Sequence, residues 1–232
     1  MACPLSKKIR IRARHLSTVP GRLVNAVEDR SFGEELRLGR VKVCGDFSHR
    51  KQLNRPEHIA VLPDSSKAFV SSGSANEVSA IDLTSKKLLA NLAIGGKPED
   101  LILKPDGGEL YIPSRDSHGL VVVNTSTNEA GDFVLLGMSP TTGTMTPDGQ
   151  LLYMSDTAAG HVVPVAVNLR QSAPPISVGQ SPSTCLLTPG GDMLLVVDAT
   201  SNDLAVLRAK TGGLITLIPV GSHPRDVAVK IF

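Results

Sequence analysis

The chain has 232 residues, a formal net charge of +2, 3% aromatic residues and no Trp. That length can bury a substantial core in one domain, and the core must be built from Val, Leu, Ile and Ala. Three cysteines, Cys3, Cys44 and Cys185, are too few for a disulfide framework, and no apolar stretch is long enough to span a membrane as a helix. The charge is uneven: residues 1–54 carry 12 Lys/Arg against 5 Asp/Glu, whereas residues 55–232 carry 12 against 17. The basic run Lys7-Lys8-Ile9-Arg10-Ile11-Arg12-Ala13-Arg14-His15 invites a nucleic-acid or anionic-membrane partner. No aromatic stands among those charges to stack a base, which weakens the nucleic-acid reading. No signal-peptide pattern follows the run. Residues 1–53 are therefore read as a basic segment, either without order or forming a degenerate closing unit, ahead of a repeat region over 54–232.

The repeat region is marked by prolines at 56, 98, 140, 182 and 224, a constant step of 42 residues. Seven residues after each of the first four stands another proline in a turn: Pro63-Asp64-Ser65, Pro105-Asp106-Gly107, Pro147-Asp148-Gly149 and Pro189-Gly190-Gly191. Gly95, Gly137, Gly179 and Gly221 close the units. Proline presets the turn and glycine takes its positive-φ position, so each is a tight hairpin. First strands are expected at His58 to Leu62, Leu101 to Leu103, Gly143 to Met145 and Cys185 to Leu187. Third strands are expected at Val78 to Leu83, Leu120 to Val123, Val162 to Val167 and Leu204 to Leu207. Fourth strands follow at Leu88 to Ile94, Phe133 to Leu136, Ile176 to Val178 and Leu214 to Val220. No segment has helical periodicity. Four antiparallel strands in about 42 residues is the blade of a β-propeller, so the fold class is all-β, with four complete blades. His223 to Val229 is expected to add the first strand of a fifth.

The unit "KPEDLILKPDGGELYIPSRDSHGLVVVNTSTNEAGDFVLLG" resembles the YVTN β-propeller repeat of the YncE-like group, with Tyr111-Ile112-Pro113-Ser114 at the place of the family tetrapeptide. The resemblance covers residues 54–232. It implies the propeller fold and, for full-length relatives, a periplasmic or extracellular location. It does not imply one activity: relatives include surface-layer and periplasmic binding proteins, and the wider group extends toward lactonases and the haem d1 domain of nitrite reductases. Relatives are usually seven-bladed with longer chains. Residues 20–53 either complete a five-bladed ring or the chain is part of a larger one, and an incomplete ring would need an oligomer or partner.

In a blade, the loop leading into strand one and the loop joining strands two and three share a face. That face gathers Glu57, His58, Glu99, Asp100, Arg115, His118, Asp156, His161, Asp198, Asp203, Arg225 and Asp226. A small ligand or a protein partner is expected there, with His58, Asp100, Arg115, His118, His161, Arg225 and Asp226 as candidate binding residues. The bland alternative is that these side chains cap strands and satisfy loop backbone groups. No metal is expected: packed sheets lie ~10 Å apart, Zn–N bonds are ~2 Å, and HxH, HExxH and CxxC spacings are absent. No cofactor is expected, since a CxxCH haem attachment, a Gly-rich phosphate loop before a helix and GxSxG are all absent. The reading is a non-enzymatic binding module. A lactonase-like hydrolase using His58, Glu57, Asp100 and Arg225 is the alternative, and nucleic-acid binding through the basic segment is a second.

Overall fold

The computed structural model of the chain describes residues 55–136 and 139–229. The basic segment, with Cys3 and Cys44, and its closing-unit reading lie outside them. The described residues form four antiparallel meanders and no helix. Blade one holds β1 (Pro56–Val61), β2 (Lys67–Ser72), β3 (Glu77–Asp82) and β4 (Lys87–Ala93). Blade two holds β5 (Ile102–Leu103), β6 (Glu109–Ser114), β7 (Gly119–Asn124) and β8 (Glu129–Leu135). In blade three, β9 (Pro140–Met145), β10 (Leu151–Asp156) and β11 (His161–Ala166) are followed by two fragments, β12 (Gln171–Ser172) and β13 (Ile176–Ser177). Blade four holds β14 (Pro182–Leu187), β15 (Met193–Asp198), β16 (Asp203–Arg208) and β17 (Leu214–Pro219).

The repeated turns form as their residues dictate. Ser65, Gly107, Gly149 and Gly191 have φ of +60°, +76°, +68° and +73°. Each donates its N–H to the carbonyl three residues back, at 2.7–2.8 Å. Asp64, Asp106 and Asp148 brace three of the turns by accepting the N–H two residues on, at 2.9–3.0 Å. Glycine at 107 has a second reason: a Cβ there would come within 2.9 Å of Pro63 Cδ, because each turn stacks on the proline of the preceding blade. Ser65, which has no described blade before it, keeps a side chain.

Strand periodicity divides the core. On β6, Leu110 and Ile112 face blade one, where they pack with Phe69, Val78, Leu92 and Ile94. Tyr111 between them faces blade three, beside Leu152, Met154, Val165 and Val167. Between blades three and four, Tyr153 and Val162 meet Cys185, Leu187, Leu194, Val196 and Leu207. Residues i and i+1 of a strand point to opposite faces. Blades two and three, each between two described blades, therefore bury both sides, and each fully buried Leu, Ile or Val adds ~1.5–3 kcal/mol. Four stacked four-stranded meanders with this two-sided core are blades of a β-propeller.

One expected strand is extended and one expectation needs correction. The fourth strand of blade three forms at Ile176–Ser177 as expected, but it is preceded by a separate fragment at Gln171–Ser172, because Pro174 and Pro175, which have no N–H to pair, interrupt the strand. Residues 222–229 form no strand. That segment is instead held by the His223 N–H donating to Asn202 Oδ1 at 2.8 Å, and by contact of Ser183 Oγ with the Arg225 carbonyl at 3.4 Å.

The meander sets two faces. The start of strand one and the strand 2–3 loop lie on the upper face, and the first hairpin turn and the strand 3–4 turn lie on the lower face.

Candidate functional site on the upper face

The junction of blades one and two is the most charged part of the upper face. His58 on β1 places Nδ1 3.9 Å from Asp100 Oδ1. The His58 N–H donates to Ser71 Oγ at 3.0 Å, while buried Asp100 accepts the Leu101 N–H at 2.9 Å. Lys97 lies 3.8 Å from Glu57 and 3.7 Å from Glu99, and Arg115 Nε lies 3.4 Å from the same Glu99. Two cations, three carboxylates and an imidazole thus share one junction, drawn from the lead-in loops of both blades and the 2–3 loop of the second. Lys97, at the residue before the repeat proline, was not among the sequence candidates. Its signal was its place on the same lead-in loop as Glu99 and Asp100.

The remaining candidates sit elsewhere. His118 ends the β6–β7 turn with φ +55°, donating its N–H to the Arg115 carbonyl at 3.1 Å. His161 opens β11 directly opposite Asp156. Both line a cavity of about 240 Å³ with Leu136, Val163, Ser172 and Pro175. Asp156 itself is a capping carboxylate: Oδ1 accepts the Ala158 and Ala159 N–H groups at 2.9 and 3.0 Å, and Oδ2 accepts that of Ser139 at 3.2 Å. Arg225 and Asp226 lie in the C-terminal segment beyond blade four, where Asp226 Oδ1 accepts the Val227 N–H at 2.9 Å. The structure therefore brings together His58, Asp100 and Arg115, keeps His118 in the same turn as Arg115, and leaves His161, Arg225 and Asp226 apart from them. No group of three or more His, Cys, Asp or Glu side chains among the described residues has the arrangement of a metal site.

The lower face contrasts in chemistry. Arg170, in the β11–β12 turn, bonds Glu109 and the Tyr111 hydroxyl of blade two, reaches Asp132 at 3.2 Å and donates to the Val167 carbonyl at 2.9 Å. Burial opposes ionisation of Glu109, but the hydrogen bonds from Arg170 and Tyr111 outweigh it and hold the carboxyl below its usual range. Burial, and then the Glu109 carboxylate, push the Tyr111 phenol well above its ordinary value. One blade earlier, Lys67 Nζ bonds the Thr125 carbonyl and Asn128 Oδ1. Lys67–Asn128 and Glu109–Arg170 both stand 61 residues apart, so one blade-to-blade contact recurs with different chemistry.

No model of a known protein family matches the chain, and no curated protein matches it. Solved structures do. A chain of the hydrazine synthase of Kuenenia stuttgartiensis is similar, with a TM-score of 0.66 and 22% identity over 72% of this chain and 49% of that one. A functionally unknown protein from Desulfotomaculum acetoxidans is similar at a TM-score of 0.64 and 16% identity, over 72% of this chain and 56% of that one. The chain spans about half the length of each. At this identity the likeness concerns the fold, and it agrees with the β-propeller defined by the four blades.

Proposed function

We infer that the chain is a binding module of the YVTN-repeat kind, taking a small charged ligand or a protein partner on its upper face without turning it over. The observation that carries this is the asymmetry of the two faces. At the strand 2–3 corner the facing pairs are Ser72–Glu77, Ser114–Gly119, Asp156–His161 and Asp198–Asp203, different in every blade. The first hairpin turns below keep one geometry throughout. Repeat scaffolds vary the residues of the face that binds and keep those that hold the units together. The ligand contacts are His58, Lys97, Asp100 and Arg115, with His118, His161, Arg225 and Asp226 extending the surface. The family resemblance supports a periplasmic or extracellular setting.

Amide chemical-shift mapping of the whole chain against a panel of small carboxylates, amines and peptides tests this. Shifts are expected at 57–58, 97–100 and 115, weakened in Arg115→Glu and Lys97→Glu. Binding that survives both reversals and is lost on altering the lower turns would place the site on the wrong face.

The close approach of His58 and Asp100 favours a second reading, a lactonase-like hydrolase in which the imidazole acts as general base. Lactone hydrolysis by the wild type that disappears in both His58→Ala and Asp100→Ala would replace the binding reading with this one.

A further inference from the structure

Asp198 ends β15 and Asp203 begins β16, and the two residues face each other directly across the ladder. Asp198 is completely buried. Neither of its carboxyl oxygens has a hydrogen-bond partner, and Asp203 Oδ1 has none either. Buried carboxylates are normally bonded, so this corner is an exception that requires a cause.

The equivalent corner of blade three supplies one. There the carboxylate of Asp156 collects N–H groups from Ala158, Ala159 and Ser139. In blade four the loop after the aspartate aims its donors elsewhere. Ala199 N–H goes to the Ser181 carbonyl at 3.0 Å and Thr200 N–H to the Gln180 carbonyl at 3.1 Å. The lead-in segment is drawn down by these bonds and lies flat on the carboxyl: a Cβ on Gly179 would stand 2.6 Å from Asp198 Cγ. Two adjacent carboxylates in such a place cannot both ionise without strong repulsion, and a proton held between them gives one a donor and the other an acceptor.

We propose that Asp198 and Asp203 share one proton and act as a latch that keeps the upper end of blade four closed while the proton is in place. Asp198, the more buried, holds the proton and donates its O–H to an Asp203 oxygen. Loss of that proton to solvent leaves two facing anions. Their repulsion loosens the β15–β16 corner, and with it the two structures bonded there. One is the lead-in segment, held also by Gln180 N–H to Ser201 Oγ at 3.0 Å. The other is the C-terminal segment, tied by His223 N–H to Asn202.

Burial, the largest cause, raises the Asp198 carboxyl from its ordinary 3.8 to about 7; the Gly179 N–H opposes it, and the neighbouring Asp203 adds to the rise. The lead-in segment 179–181 and the loop 199–201 bring no titratable side chain to the pair. His223, Arg225 and Asp226 of the C-terminal segment do not contribute to the shift. The sign follows. The unfolded chain gives up this proton at lower pH than the folded one, so stability falls as pH rises from about 4 through about 7.

The test is the melting temperature of the full chain as a function of pH, for wild type, Asp198→Asn and Asp203→Asn. An asparagine amide donates as the shared proton does, at every pH. The wild type is expected to lose several degrees between pH 6 and pH 8, Asp198→Asn to lie on a flat line above it at pH 8, and Asp203→Asn, which keeps the buried Asp198 carboxyl, to fall less steeply than the wild type. In the same experiment, hydrogen exchange at Ala199 and Thr200 should accelerate above pH 7 in the wild type relative to Asp198→Asn. A wild type with no loss across this window would overturn the latch. So would an Asp198→Asn variant that melts as far below the wild type at pH 8 as it does at pH 5. Restoration of the wild-type melting temperature at pH 8 by calcium or magnesium, absent in Asp198→Asn, would show that the carboxylates hold a metal ion and not a proton.

Discussion

Arg170 and Arg115 are the same residue type on opposite faces of the same stack of blades, and their surroundings could hardly differ more. Arg170, 25% exposed, is fixed by Glu109, Tyr111, Asp132 and a backbone carbonyl. Arg115, 49% exposed, has a single carboxylate 3.4 Å from its Nε. On the lower face, charge joins blade to blade. On the upper face, Arg115 is more exposed and has fewer partners. The sharpest way to break this comparison is to remove Arg170. Truncating one member of a half-buried, multiply bonded ion pair costs about 2–3 kcal/mol, since its partners are left unsatisfied. Urea unfolding of Arg170→Ala should show that loss, and a loss no larger than that of an exposed pair would mean the lower network is ornamental to the fold.

A smaller effect is expected at the stacked turns. Gly107→Ala places a methyl group at φ +76° and against Pro63, which together cost about 1–2 kcal/mol. Gly131→Ala on β8 is the control, because a Cβ there meets nothing within 4 Å. Its stability should be unchanged or slightly higher. Equal losses at the two positions would show that the stacking of turn on proline carries no energy.

How much of this was readable beforehand differs between the two faces. The 42-residue step, with proline and glycine in phase, dictated blades, turns and inner strands, because turn chemistry is local and repeats four times. The failures are where locality ends. The fragment Gln171–Ser172, which pairs β11 ahead of Pro174 and Pro175, was not read from the sequence. His223 to Val229 has the pattern of a first strand, yet a strand needs a neighbour, and pattern does not supply one. The Glu109–Arg170 contact was present in the sequence as the same offset that joins Lys67 to Asn128, but charge against amide conceals the correspondence. The orphaned Asp198 was not readable at all. Asp156-Thr157-Ala158-Ala159 and Asp198-Ala199-Thr200-Ser201 are nearly interchangeable as loops, yet Ala158 N–H caps its aspartate while the equivalent Thr200 N–H goes to the Gln180 carbonyl.

The smallest expected effect completes the comparison. Arg115→Ala should change unfolding free energy by no more than about 0.5 kcal/mol, as exposed ion pairs generally do. The reason is that Arg115 and Glu99 gain modest attraction near water while giving up side-chain freedom, and salt screens what remains. Glu99 also keeps Lys97 at 3.7 Å when Arg115 is gone, so no carboxylate is stranded. Urea unfolding at low and high salt should therefore give nearly superimposable curves for wild type and variant, and superimposable ones at high salt. The same substitution should nevertheless weaken ligand binding on the upper face. A residue that costs nothing to the fold and much to binding is what a recognition surface requires. If Arg115→Ala instead destabilised the protein as strongly as Arg170→Ala, the charged junction of blades one and two would be a second structural seam, and the case for a ligand there would lose its main support.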